Sequence, residues 1–144
     1  PKESPFFYLM ETARNLCLVL EKKADLGREI RLAYSQEDKE TLQEIANIKI
    51  PVLLQRLQDF YQSFRTQWNL ENKSFGFEVQ TVRIGGLLQR LKDVQEILNA
   101  YLREEIPGIA ELNEPQKAFH YFEQNEIRSL NYNLWTDIVS PSKI

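Results

Sequence analysis

Two apolar stripes of helical period, separated by a short polar link, constrain this chain more than any other feature. Leu53, Leu57, Phe60, Tyr61, Phe64 and Trp68 recur at spacings of three and four, and Val82, Leu87, Leu91, Val94, Leu98 and Tyr101 form a second stripe with that spacing from Leu87 onward. Each series marks a helix with one buried face, because 3.6 residues per turn bring such positions onto one side. The spacing predicts helices near residues 51–69 and 77–103, and a link this short turns the second back along the first as an antiparallel hairpin. Two helices leave part of their apolar surface open, so the core needs further elements.

The N-terminal third supplies them. Ser4-Pro5 has the form of an N-cap and first helical residue, and Phe6, Leu9, Met10, Ala13, Leu16, Cys17 and Leu20 then follow at helical spacing. They predict a helix that buries this face, with Cys17 as a buried thiol. A second helix starts near Ala24 or Asp25 and carries Leu26, Ile30, Ala33 and Tyr34 on one side; Leu42, Ile45 and Ala46 mark a short third one. Proline has no amide hydrogen and restricts its predecessor, so Ile50-Pro51 either starts the next helix or kinks a continuing one. Pro107-Gly108 ends the helical region. Beyond Pro115 the periodicity fades, yet Phe119, Tyr121, Phe122, Leu130, Tyr132, Leu134, Trp135 and Ile138 keep the tail aromatic, and it is expected to lie across the bundle. The expected fold is all-α: an antiparallel bundle of about five main helices with a partly irregular C-terminal tail, 1–144 forming one domain.

At 144 residues, a single domain buries about 68–70% of its unfolded surface without metal or disulfide staples. With 18 basic and 21 acidic residues, the chain lacks the positive footprint of a dedicated nucleic-acid binder. No apolar run approaches the roughly 20 residues that span a bilayer, and the N-terminus does not read as a signal peptide. The expectation is a soluble chain with neither nucleic acid nor membrane as partner. Pro1 is not an initiator, and the single methionine, Met10, lies inside an expected helix, so the chain reads as a piece of a longer protein.

The link and the start of the second long helix hold the densest mixture of functional residue types. Trp68, Asn72, Lys73, Glu78, Arg83, Gly85, Gly86 and Arg90 bring aromatic, charged and glycine residues together within a short stretch. Each glycine inside a helix costs about 1 kcal/mol relative to alanine. Gly85-Gly86 is therefore expected to admit a close neighbour, either a ligand or another element such as Trp68 or an aromatic of the tail. Two readings stay open: an interface or sugar-facing surface built from these eight residues, or an internal arrangement in which Glu78 and Arg83 pair and Asn72 caps a helix.

Lys23-Ala24-Asp25-Leu26-Gly27, Arg31-Leu32-Ala33-Tyr34 and Asp38, then Trp68 to Lys73, Gly76-Phe77-Glu78-Val79, Arg83-Ile84-Gly85-Gly86-Leu87 and Arg90, together with the closing Asn131 to Ser142, resemble the C-terminal helical domain of bacterial glycoside hydrolase family 20 enzymes. The resemblance implies a parent β-N-acetylhexosaminidase that removes terminal N-acetylhexosamine from glycans. It also implies an adjacent Asp-Glu pair on a catalytic barrel, the Glu as general acid/base and the Asp orienting the substrate acetamido group as nucleophile. The chain has no Asp-Glu dipeptide, and the βα alternation of a barrel is missing. No catalytic residue carries over. The implied role is a non-catalytic accessory domain that packs on the catalytic domain of the parent chain or on a homodimer partner, with glycan contact as a further expectation; the sequence leaves localisation open, a bacterial cytoplasmic or cell-associated setting being the expectation. The alternative is a stand-alone helical interaction module unrelated to glycans.

Other chemistries find no support. His120, the one histidine, has no carboxylate or cysteine at ligand spacing, so neither metal nor cofactor is expected. Glu37-Asp38 and Glu104-Glu105 fall at expected helix edges as solvated carboxylates. Asn72-Lys73-Ser74 matches a glycosylation pattern that requires a secreted eukaryotic setting. There is no GxSxG elbow, and Gly85-Gly86 is too short a run to cradle phosphate.

Overall fold

The structure is a computed structural model that describes residues 4–114, 122–123 and 126–127. Its elements are α1 (Phe7–Lys23), α2 (Leu26–Ser35), α3 (Lys39–Glu44), a π-helical segment (Ile45–Lys49), α4 (Ile50–Glu71), α5 (Phe77–Leu102) and the short α6 (Ala110–Asn113). The remaining described piece is a two-residue ladder in which Phe122 lies opposite Ile127 and Glu123 opposite Glu126. The expected course of the aromatic tail lies outside the described residues.

The described residues form four long helical units, one fewer than expected, because Pro51 breaks nothing. From Lys39 to Glu71 the helix is continuous through the π-helical segment, where the Ile50 amide bonds back to the Ile45 carbonyl, five residues earlier. A proline ring collides with the carbonyl four residues before it, and a widened turn moves that carbonyl aside. Thus the extra residue per turn absorbs the proline, and the helix changes pitch rather than ending.

The two long helices fall close to their expected places. Contacts join them along their length: Trp68 and Phe77 pack at a tilt with ring centroids 5.7 Å apart, the Tyr61 hydroxyl lies 3.1 Å from Thr81 Oγ1, and Gln95 donates to the Ala46 carbonyl at 2.7 Å. On α5 the buried residues are Phe77, Ile84, Leu91 and Leu98, one every seventh position, which keeps one seam against the partner helix. Val82, expected in that seam, is exposed, and Ile84 occupies the buried place instead. Leu42, Ile50, Leu53 and Leu98 are the largest fully buried side chains. Around them Val19 of α1, Leu26, Ile30 and Ala33 of α2, Ile45 and Ala46 of the π-helical segment, Leu57 of α4, Leu91 of α5 and Ile109 complete the core.

Helix ends are specified locally. Asp38 caps α3 by accepting from the Thr41 amide at 3.0 Å and the Thr41 hydroxyl at 2.7 Å, which holds its carboxyl below the usual range. Glu37 and Glu104 take left-handed conformations where α2 and α5 finish. Lys39 reaches across to Glu104 at 2.9 Å and joins these two ends. The acidic pairs at 37–38 and 104–105 thus serve helix termini.

α1 corrects the reading of its sequence. It lies along α4 with opposed numbering: the Tyr8 hydroxyl donates to Glu71 at 3.2 Å, the Asn15 amide to Ser63 Oγ at 3.1 Å, and Arg56 to the Leu18 carbonyl at 2.7 Å. The buried residues on its contact face are Thr12 and Val19. Phe6 and Met10 are 62% and 71% exposed, Leu16 and Leu20 are also exposed, and Cys17 is an exposed thiol rather than a buried one. The apolar stripe expected to face the bundle points away from it. Polar anchoring of the opposite face to Ser63, Asp59 and Arg56 fixes the helix in this rotation.

Candidate functional site

The eight candidate residues separate into two groups along α5. Trp68, Asn72, Lys73 and Glu78 meet at the α4–α5 corner. Arg83, Gly85, Gly86 and Arg90 run down the helix, and from Gly76 to Arg90 is about 21 Å at 1.5 Å per residue.

The corner is built from its own residues. Asn72 ends α4 in an extended conformation, its amide bonded to the Trp68 carbonyl at 2.8 Å. The Trp68 indole N–H donates to the Lys73 carbonyl at 2.9 Å and so straps the link. Gly76 begins α5 at φ 97°, a left-handed conformation that a side chain disfavours, and an added Cβ would sit 3.3 Å from Cζ2 of Trp68. The Glu78 carboxylate turns back and accepts from the Gly76 amide at 2.8 Å. Beneath this strap Tyr61, Phe64 and Trp68 gather around Phe77, with ring centroids 5.5–5.7 Å from it. The aromatic and glycine content of the link is therefore largely the chemistry of a tight reversal.

Gly85 and Gly86 differ from Gly76. Both are exposed, and among the described residues nothing lies within 4 Å of a Cβ added at either. The expectation that Trp68 crosses there is corrected: its ring packs at Gly76, near the helix start. Arg83, between corner and glycines, is half-buried.

Further along, α5 forms one wall of a cleft of about 250 Å³ whose other walls are α2 and residues 109–112. Ile30, Val94, Ile97, Leu98, Ile109 and Leu112 give it an apolar lining, with Gly27, Arg31, Arg90 and Glu111 also bordering it. Arg90 pairs with Glu111 at 2.5 Å. Arg31 donates to the Leu112 and Glu114 carbonyls, both at 3.3 Å, and ties the segment after α5 back to α2. Tyr34 reinforces that tie, donating to Asn113 and accepting from the Ile109 amide, each at 3.0 Å. Gly108 belongs here for a steric reason, since a Cβ would fall 3.0 Å from the Tyr34 hydroxyl.

Gly27 and Arg31 were visible in the sequence only as parts of the resemblance, and Glu111 gave no signal. The cleft depends on a return of the chain that periodicity does not encode. Among the described residues there is no group of three or more His, Cys, Asp or Glu side chains arranged to hold a metal, and no helix is long and apolar enough to cross a membrane. Among curated proteins nothing matches this chain. Against family models the result is positive: the Glycoside Hydrolase 20C C-terminal domain matches residues 2–131, nearly the full length, and the chain belongs to that family.

Proposed function

We propose that this chain is the non-catalytic accessory domain of a glycoside hydrolase family 20 β-N-acetylhexosaminidase, an antiparallel bundle that packs on the catalytic barrel or on a second subunit. The family match over residues 2–131 carries this reading. The chemistry of the side chains supports it. Hydrolysis in that family needs an adjacent carboxylate pair in a substrate pocket, and the sequence has no Asp-Glu dipeptide. The described cleft pairs its one carboxylate, Glu111, with Arg90.

The outward-facing residues between Trp68 and Arg90 belong to this proposal as a contact surface. Gly85 and Gly86 incur the helix cost of glycine with no described neighbour to offset it. Close approach by a barrel, a second subunit or a sugar supplies that offset, and Lys73, Glu78, Arg83 and Arg90 give such a surface both signs of charge. The test compares purified 1–144 with the parent enzyme on a chromogenic N-acetylglucosaminide. The parent turns over and the chain alone does not; turnover by the chain that survives removal of contaminating enzyme refutes the reading.

A further inference from the structure

Much of the apolar surface of α1 is turned away from its packing. The side that meets α4 holds Thr12, Asn15 and the buried Val19, whereas Phe6, Met10, Ala13, Cys17 and Leu20 are exposed. These five recur at four, three, four and three, which aligns them as one stripe about 21 Å long with no charged residue in it. An amphipathic helix that seats its polar side inward, through bonds to Ser63, Asp59 and Arg56, leaves its apolar side for something else.

We infer that this stripe is the seat of the polypeptide that precedes the domain in its parent, and that α1 is the joint between the two. The inference rests on the accessory-domain reading above. The family is a C-terminal domain, so the rest of the parent lies on the N-terminal side and enters at the start of α1, where the stripe begins with Phe6. A neighbour tethered there meets this face at high effective concentration, so even a modest apolar contact is occupied. The occupant is an uncharged apolar strip of the preceding domain.

Cys17, the fourth of the five residues in the stripe, reports the contact without engineering. Maleimide labelling of Cys17, followed by mass spectrometry of its peptide, is compared in the 1–144 chain and in the parent. Labelling is rapid in the chain and at least about tenfold slower in the parent, a docked state favoured by about 1.4 kcal/mol or more. In the parent, Met10→Glu returns the rate toward that of the free chain, while Glu11→Gln, one position off the stripe, does not. Equal rates in chain and parent overturn the inference. So does protection of the free chain that grows with its concentration, which assigns the stripe to a second copy, or sedimentation of the chain with phosphatidylglycerol vesicles, which assigns it to a lipid surface. N-acetylglucosaminidase activity of the same parent preparation judges the functional reading separately: an active parent with unprotected Cys17 defeats only the joint.

Discussion

Gly76→Ala and Gly86→Ala are the same chemical change on one helix, and the structure predicts opposite signs. Gly76 sits at φ 97°, where an L-residue costs about 1–2 kcal/mol. The new methyl would also press on Trp68 at 3.3 Å, and the strapped ring, held by its bond to the Lys73 carbonyl, has little freedom to yield. Destabilisation of about 1–2 kcal/mol or slightly more is expected. Gly86 lies in helical backbone with nothing described within 4 Å of its Cβ, so alanine returns the helix-propensity gain of about 0.8–1.0 kcal/mol. The two variants of the 1–144 chain should therefore differ by about 2–3 kcal/mol. Urea titration followed by circular dichroism at 222 nm reads this directly; with m near 2 kcal/mol/M the midpoints separate by about 1 M or more. Gly76→Asn, which tolerates the left-handed region, should fall between wild type and Gly76→Ala. A wild-type midpoint for Gly76→Ala would refute the corner geometry, and destabilisation by Gly86→Ala would mean that a neighbour already occupies that face in the free chain.

Two further outcomes test the core and the capping. Leu53→Ala removes a fully buried side chain at the centre of the bundle and should cost about 2–5 kcal/mol in the same titration, whereas a loss below 1 kcal/mol would place Leu53 outside the core. Asp38→Ala removes the cap of α3, and its effect should depend on pH with a definite sign: the folded pKa is lowered by the Thr41 amide and then the Thr41 hydroxyl, so the stabilisation is fully present above about pH 3.9, the unfolded value, and fades as pH falls through the folded one. A stability gap between wild type and Asp38→Ala that stays constant from pH 7 to the acid limit would contradict it.

The long helices were legible because their partners lie within the chain. Leu53, Leu57 and Phe60 on α4, and Leu91, Val94 and Leu98 on α5, line up because each helix buries a face against the other, and that is the condition under which period reports burial. Pro51 was legible only as a choice, since a π-turn that absorbs a proline depends on local bonding and leaves no pattern of its own. The candidate site was half legible for a similar reason. Composition singled out the Trp68–Arg90 stretch, but did not show that Gly76 makes the turn while Gly85 and Gly86 remain open, because all three are the same letter in different backbone states.

α1 was misread in an instructive way, since its period was correct and its partner was not. Apolar residues at helical spacing show that a helix has a face suited to burial, but not which surface covers it. When a chain contains every surface, the stripe and the core coincide, as on α4 and α5. The Phe6–Leu20 stripe breaks that coincidence: the contact side of α1 is settled by specific polar pairs, Asn15 with Ser63 and Arg56 with the Leu18 carbonyl, and the apolar side is left outward. In the joint inferred above, the missing surface is the polypeptide that precedes this C-terminal domain in its parent. The mismatch between periodicity and burial on α1 therefore points to how this domain is joined to its parent.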